Sequence, residues 1–136
     1  MAVKVLDSWS LIAFFENEPA AEPVERLLVH AGSGKHKLLL SAVSWGEVYY
    51  IMTREISQEA AEQTAREIAG LAIEIVGVDA ENMDLARQAA IFKATRKISY
   101  ADAFAAALAK LSNAELVTGD REFKQVEDEI RIEWLK

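Results

Sequence analysis

Four acidic residues occupy positions from which an α/β fold would bring their side chains together: Asp7, Glu47, Asp102 and Asp120. Asp7 directly follows a short valine-rich run that predicts a strand, and Asp120 follows a second predicted strand that ends at Thr118. Crowded carboxylates repel one another unless a cation shares them. Mg²⁺ and Mn²⁺ are the hard ions that prefer carboxylate and water oxygens. These four acids therefore predict a divalent-metal site.

Alternating strand and helix patterns place the four acids at one edge of a sheet. The predicted strands cover residues 3–6, 37–41, 73–76, 115–118 and 130–134. The predicted helices cover residues 9–15, 19–30, 42–54, 79–93 and 100–111, with another helix capped by Ser57 that ends near residue 71 and a short last helix from residue 119. This alternation predicts an α/β fold with a parallel sheet, helices on both faces and ligands at the carboxyl edge of the strands.

The composition predicts one globular domain over residues 1–136, because a single core usually extends to about 100–150 residues. Cysteine is absent, and the two histidines lack the spacing of metal ligands. An acid interrupts the first apolar run, and no apolar run is long enough to span a membrane, so we expect a cytoplasmic protein with no membrane partner. The net charge of −7 argues against non-specific nucleic-acid binding, although bound cations would reverse the local sign.

Three of the four acids also have an ordinary structural explanation. Asp7 and Asp120 are placed to cap helices, and Ser99-x-x-Asp102 resembles a capping box. Glu47 differs, because it lies on the apolar side of its helix, where an unpaired carboxylate is costly. Independent capping explains each acid alone, but it does not explain why all of them meet where this topology binds ligands.

Two other patterns suggest phosphate binding. The segment Gly32-Ser33-Gly34-Lys35 resembles the end of a phosphate-binding loop, but His36 stands in place of the required Ser or Thr. It also precedes a strand instead of following one, so we interpret it as a turn. Arg96 and Lys97 are candidates for a phosphate track beside Ser99, although basic loop residues are commonly only solvated.

Four short motifs occur in the order and spacing of the motifs of PIN-domain proteins, over nearly the whole chain. They are Val5-Leu6-Asp7-Ser8, Ser44-Trp45-Gly46-Glu47-Val48, Ser99-Tyr100-Ala101-Asp102-Ala103 and Thr118-Gly119-Asp120-Arg121-Glu122-Phe123. Among PIN-domain proteins the chain most resembles the small VapC-type toxins of prokaryotic toxin–antitoxin pairs. The resemblance implies a three-layer α/β/α sandwich with a central parallel sheet of four to five strands.

The resemblance also assigns roles to individual residues. It identifies Asp7, Glu47, Asp102 and Asp120 with the acidic metal site of the family, and it implies that Thr118 helps to orient that site. Glu122 is implied as a peripheral acid of the site. The chain departs from the family pattern at Trp9, where many relatives carry a small hydroxyl residue, and this leaves the polar roles of Ser8 and Ser10 open.

The function implied is that of a Mg²⁺- or Mn²⁺-dependent endoribonuclease, which hydrolyses RNA, pairs with a cognate antitoxin protein and forms a homodimer. Apolar residues at Ile68, Leu71, Leu85 and Ile91 are candidates for the dimer, although core packing explains most such residues. The main alternative is a catalytically silent PIN-like module that binds RNA or a protein partner. Phosphoryl transfer through Asp7 is disfavoured, because hydrolases of that kind carry a second Asp where this chain has Trp9.

Overall fold

The computed structural model describes residues 2–136, which form one five-stranded sheet covered by helices. The strands are β1 (Ala2–Leu6), β2 (His36–Ser41), β3 (Ile73–Val76), β4 (Glu115–Thr118) and β5 (Ile132–Trp134). The helices are α1 (Ser8–Phe15), α2 (Ala21–Gly32), α3 (Ala42–Glu55), α4 (Gln58–Ala69), α5 (Met83–Thr95) and α6 (Tyr100–Leu111), with a 3₁₀ helix at Arg121–Val126.

All neighbouring strands are parallel, in the order β3-β2-β1-β4-β5. The chain therefore builds outward from β1 through β2 to β3, and then returns to add β4 and β5 on the other side of β1. Open α/β sheets bind ligands at the point where the strand order reverses, which lies here between β1 and β4. Leu6 pairs with Val117 across this point, so the chain leaves both strands side by side at Asp7 and Thr118.

The alternation of side chains along the strands creates a core on each face of the sheet. Val5 and Leu116 face α5 and α6, whereas Leu6 and Val117 face α1 to α4. All four of these side chains are completely buried. The central strands are thus apolar on both faces, as parallel sheets require. The predicted three-layer α/β/α sandwich with four to five parallel strands is confirmed.

Helix α6 is rich in alanine and is buried among its neighbours. The residues between Ala103 and Ala109 are all buried, and α6 packs against α5, α3 and the sheet. Small side chains permit this packing, and alanine has the highest helix propensity. The consequence is that Asp102, in the first turn of α6, is carried on a buried and well-packed element.

The structure corrects several predicted starts of elements. The last short helix is a 3₁₀ helix that begins at Arg121 and not at residue 119, and β5 begins at Ile132 and not at residue 130. Helix α2 begins at Ala21 and not at residue 19, and α5 begins at Met83 and not at residue 79. In the second case the Asp79 carboxylate accepts a hydrogen bond from the Glu81 amide at 2.9 Å, so the segment folds as a side-chain-stabilised turn before the helix begins. No helix within residues 2–136 is both long enough and apolar enough to cross a bilayer.

The segment Gly32-Ser33-Gly34-Lys35 before β2 is a turn, as predicted from the sequence. Gly34 has φ +80°, and its amide donates to the Ala31 carbonyl at 3.1 Å, while the Lys35 amide donates to the His30 carbonyl at 2.9 Å. These amides satisfy the last carbonyls of α2. They are therefore occupied by helix capping instead of forming a phosphate cradle.

Candidate active site

Asp7 follows β1 and is 1 % exposed, with both carboxylate oxygens engaged. Oδ1 accepts the Ser10 amide at 2.9 Å, and the Ser10 hydroxyl completes a reciprocal capping box at the start of α1. Oδ2 accepts the Thr118 hydroxyl at 2.6 Å. The predicted cap is therefore present, but it uses only one oxygen of Asp7, and the other oxygen links β1 to β4. A carboxylate buried in this way is poorly placed to attack a phosphate in solvent.

Thr118 connects Asp7 to Asp120. Its hydroxyl donates to Asp7 and accepts the Asp120 amide at 3.0 Å. Asp120 in turn caps the 3₁₀ helix, since its Oδ1 accepts the Glu122 amide at 2.9 Å. Thr118 is completely buried, so this chain of hydrogen bonds fixes the two acids relative to the ends of β1 and β4.

Glu47 reaches the same edge of the sheet from α3. Its helix buries Ser44, Val48 and Met52, and Glu47 lies beside that buried stripe, where it is half-buried. The Ser8 hydroxyl donates a short hydrogen bond to Glu47 Oε1. Ser8 therefore acts as the polar partner of Glu47, while Ser10 serves the Asp7 cap.

Of the two hydrogen bonds that a capping box between Ser99 and Asp102 requires, only the one accepted by the Ser99 hydroxyl is present. Ser99 caps α6, and its hydroxyl accepts the Asp102 amide at 3.1 Å. The reciprocal bond is made by a different residue, because the Ser99 amide donates to Glu122 Oε1 at 2.6 Å. The Asp102 carboxylate is thereby released from capping, although its residue is only 7 % exposed.

A cleft of about 340 Å³ opens at this edge of the sheet. Its lining residues are Ser8, Trp9, Ile12, Glu18, Glu47, Ile51, Ser99, Asp102, Asp120 and Glu122. Five of these ten residues are acidic, and none is Lys, Arg or His. No ion pair within residues 2–136 involves these five acids or Asp7.

Two carboxyl groups at this edge of the sheet have raised pKa values: Asp102, which lines the cleft, and Asp7, which is buried at the end of β1 and does not line it. Burial raises the pKa of Asp7 to about 6, against the lowering effect of its hydrogen bonds from Thr118 and Ser10. Burial is also the largest cause that raises the pKa of Asp102 to about 8, followed by a hydrogen bond with Glu122 and the negative charges of Asp120 and Asp7. These acids lie close enough together to repel, and the region lacks compensating positive charge.

The donor chemistry fits a divalent cation of the Mg²⁺ or Mn²⁺ class. The polar side chains of the cleft supply only carboxylate and hydroxyl oxygens. Within residues 2–136, however, no three acidic or histidine side chains are gathered as the ligands of one ion.

Glu18 also lines the cleft, and it is not among the acids predicted from the sequence. Glu18 is exposed and lies between α1 and α2, in a turn that closes when the Glu18 amide donates to the Ala13 carbonyl at 2.9 Å. The sequence does not indicate a site at Glu18, because this acid does not follow a predicted strand. Glu122, implied only as a peripheral acid, lines the cleft and bonds to Ser99.

The suggested phosphate track at Arg96 and Lys97 is not supported. The Arg96 guanidinium binds Asp128 at 2.8 Å and Glu129, and it also donates to the Gln125 carbonyl at 2.6 Å. Its charge is therefore neutralised at the end of the 3₁₀ helix. Lys97 is exposed and does not line the acidic cleft.

Comparisons with known proteins agree with this architecture. The family model of the PIN domain matches residues 4–129. Similar solved structures include VapBC2 of Rickettsia felis bound to a promoter DNA fragment, with 17% identity, coverage of 98% of this chain and 99% of that chain, and a TM-score of 0.73. DNA-bound VapBC of Salmonella typhimurium has 20% identity, 98% coverage of both chains and a TM-score of 0.70.

A third similar structure is VapC20 of Mycobacterium tuberculosis, described as a sarcin–ricin loop cleaving toxin. It has 18% identity, coverage of 89% of this chain and 92% of that chain, and a TM-score of 0.68. No curated protein sequence matches the chain. The structural neighbours share the fold, and the family model covers the part of the chain that contains Asp7, Glu47, Asp102 and Asp120. The chain therefore belongs to the PIN domain family.

Proposed function

We propose that this PIN domain is a divalent-metal-dependent endoribonuclease and the toxin of a VapBC-type toxin–antitoxin pair. The observation that carries the proposal is an acidic cleft at the topological switch point in which no cation compensates five lining carboxylates. Asp102 is the sharpest example, because Glu122 takes over the capping bond that a purely structural Asp102 would make. Its carboxylate makes no cap and lies beside Glu122 in the lining of the cleft.

The proposed mechanism is hydrolysis of a phosphodiester bond. Mg²⁺ or Mn²⁺ held by Asp7, Glu47, Asp102 and Asp120 would polarise the phosphate and lower the pKa of the attacking water. The residues around these acids orient them. Thr118 holds Asp7 and the Asp120 backbone through its hydroxyl, and Ser8 fixes one oxygen of Glu47.

RNA is proposed as the substrate because PIN-family membership implies a nuclease, and VapC20, a similar structure, is described as cleaving the sarcin–ricin loop. The cleft itself contributes no basic side chain for phosphate, and the net charge is −7. The substrate would therefore be held through the metal and through contacts with its sugars and bases. This makes cleavage strictly dependent on the metal.

A protein antitoxin is proposed as the partner, because similar structures are described as VapBC complexes. A homodimer and a cytoplasmic location are proposed with it. Of the four apolar residues suggested for the dimer, Ile68 and Leu85 are buried in the cores and Leu71 packs against one of them. Only Ile91 of that set is substantially exposed, at 49 %.

The test is cleavage of a labelled single-stranded RNA by the wild type and by Asp102→Asn, with Mg²⁺, with Mn²⁺ and with EDTA. Asp102→Asn is expected to lower cleavage by about 100-fold or more while the protein stays folded, and EDTA to abolish cleavage by the wild type. Asp84→Asn is the matched control, because Asp84 also lies in the first helical turn but is exposed, pairs with Arg87 and lies outside the cleft. It should keep full activity. Cleavage that persists in EDTA would refute the mechanism.

The rival proposal is a silent module whose acids serve only as helix caps. The observation in its favour is that, within residues 2–136, no three acidic or histidine side chains are gathered as the ligands of one ion. This rival predicts no metal-dependent cleavage, and a loss of about 0.5–2 kcal/mol of stability when a capping acid is replaced by alanine. Asp102→Ala decides the matter, because Ser99 and Glu122 already supply both capping bonds. We expect Asp102→Ala to lose cleavage without losing a cap.

A further inference from the structure

One wall of the acidic cleft is apolar. Trp9 and Ile12 of α1 and Ile51 of α3 line the cleft together with the carboxylates. All three side chains are half-buried, so each presents part of its surface to a ligand. The cleft thus combines a group of acids with an apolar wall. Nothing in the proposed metal chemistry requires that wall.

Trp9 is held in this wall by the turn that carries Asp120. A Cβ atom placed on Gly119 would lie 2.5 Å from Cζ3 and 2.6 Å from Cζ2 of the indole, and closer still to Cη2. The six-membered ring of Trp9 therefore lies directly against the backbone of Gly119, in space that any other residue would fill. The absence of a side chain at position 119 brings an indole next to one of the proposed metal ligands.

The other two tryptophans have different surroundings. Trp45 stacks on Tyr49 with ring centroids 5.6 Å apart and does not line the cleft. The Arg121 guanidinium lies over Trp134, 5.4 Å from the ring centroid. Trp9 is the tryptophan that lines the acidic cleft.

The charge of the cleft explains why an aromatic contact would matter there. Most nucleic-acid sites gain affinity from Lys and Arg on the phosphates, and the lining of this cleft has neither. A nucleobase is uncharged and offers a flat aromatic face to stack on. Stacking of a base on an aromatic side chain does not require sequence-specific hydrogen bonds.

We propose that Trp9, with Ile12 and Ile51, forms the binding surface for one nucleobase of the RNA strand, adjacent to the phosphate that is cleaved. The inference rests on the proposed nuclease function, and it adds a residue that determines how the strand is positioned. Trp9 acts on the base, and the acids act on the phosphate. The base contact would compensate for the missing basic side chains of the cleft.

The experiment compares two probes on the full chain in Ca²⁺. One is a fluorescently labelled decamer of oligoadenylate RNA, and the other is a decamer of the same backbone with abasic sites. Trp9→Ala is expected to weaken binding of the RNA by about tenfold or more and to leave binding of the abasic decamer within about twofold. Trp9→Phe, which keeps an aromatic face, should recover most of the loss. Trp45→Ala is the matched control, because Trp45 packs against the same core and lies outside the cleft.

A spectroscopic readout separates direct contact from a structural role. In the double variant Trp45→Phe, Trp134→Phe, Trp9 is the only tryptophan, and adenosine 5′-monophosphate is expected to quench its fluorescence, whereas ribose 5-phosphate is not. Equal loss of affinity for both decamers in Trp9→Ala, or equal quenching by both small molecules, would overturn the proposal.

RNA cleavage by the wild type in Mg²⁺ is measured in parallel to keep the two proposals apart. Cleavage combined with base-independent binding overturns the role of Trp9 and leaves the nuclease intact. Base-dependent binding without cleavage supports Trp9 and refutes the nuclease.

Discussion

Two groups of acids lie near β1 and differ in their charged partners. One group, on the sheet, is paired with a lysine, whereas the other, in the cleft at the end of the strands, has no basic side chain beside it. On β1, Lys4 sits between two carboxylates, with its Nζ 2.7 Å from Glu115 on β4 and 2.5 Å from Glu133 on β5. Three residues later lies Asp7, buried at the sheet edge where the acidic cleft opens. The lining of that cleft has no basic residue. The chain thus places a lysine between the acids on the sheet, and it places no basic side chain in the lining of the cleft.

The pKa directions record this difference. The hydrogen bond from Lys4 is the largest cause that lowers the pKa of Glu115. At the edge of the sheet where the cleft opens, the pKa values of Asp7 and Asp102 are raised, with burial as the largest cause of each. A paired group of acids stabilises the fold, whereas an unpaired group costs free energy that a bound cation would recover. The unpaired acids would therefore gain more free energy from a bound cation than the acids that already contact Lys4.

Of the tests of this comparison, the largest effect is expected from a lysine side chain placed among the acids of the cleft. Ile51→Lys places an ammonium group one helical turn after Glu47, in the orientation that favours a Glu–Lys pair. The new charge should oppose a divalent ion and raise the dissociation constant for Mn²⁺, measured by titration calorimetry, by about tenfold or more. Ile51→Met controls for the altered apolar wall and should keep the wild-type affinity. Equal affinities in the two variants would show that the cleft does not bind the ion.

A smaller effect is expected on the pH dependence of stability. The pKa of Asp7 is about 6 and that of Asp102 about 8 in the folded protein, against 3.8 for ordinary aspartates, so the folded state binds more protons than the unfolded state between these values. The contribution of these two acids to stability without metal should therefore be fully present below about pH 4 and be lost as pH rises to 8. In EDTA we expect the melting temperature to fall by several degrees between pH 5 and pH 8.

Mg²⁺ should restore more of this loss at pH 8, where the acids are ionised, than at pH 5. Asp102→Asn should flatten the slope in EDTA, because it removes the group with the more strongly raised pKa. The groups with lowered pKa values, Glu115 and Asp128, titrate below this window and do not contribute to it. A melting temperature that rises between pH 5 and pH 8 in EDTA would contradict the electrostatic description of the cleft.

The strands and the sheet edge could be predicted from the sequence because their signals are local. Apolar runs such as residues 3–6 and 115–118 match β1 and β4 within one residue, and parallel topology then fixes which ends meet. Helix starts were harder to predict. A local turn at Asp79 competes with the helix, and helical periodicity does not report that competition.

The caps made by Asp7 and Asp120 could be predicted from the sequence, but the hydrogen bonds between distant elements could not. A capping-box rule pairs Ser99 with Asp102 because they are three residues apart, yet the fold supplies Glu122 from 23 residues away as a competing acceptor. The bond from Ser8 to Glu47 spans 39 residues and joins two helices. Such contacts depend on packing between elements, which no sequence window contains.

The smallest expected effect tests the paired side of the comparison. Glu115→Gln removes one of the two carboxylates that share Lys4, while Glu133 remains to hold the ammonium group. Because the Glu115 side chain is 34% exposed, solvent screens the pair, and we expect a loss of only about 0.5–1 kcal/mol in urea unfolding at pH 7. RNA cleavage should be unchanged, because Glu115 lies outside the cleft.

The sign of the pH effect also distinguishes this acid from those of the cleft. The pKa of Glu115 is lowered from 4.5, so its stabilisation is present above that value and disappears as pH falls through the folded pKa. The stabilities of Glu115→Gln and the wild type should therefore converge at acidic pH. Asp102→Asn should show the reverse, with its largest difference from the wild type in EDTA at pH 8. If both variants responded to pH in the same direction, the distinction between paired and unpaired acids on this sheet would fail.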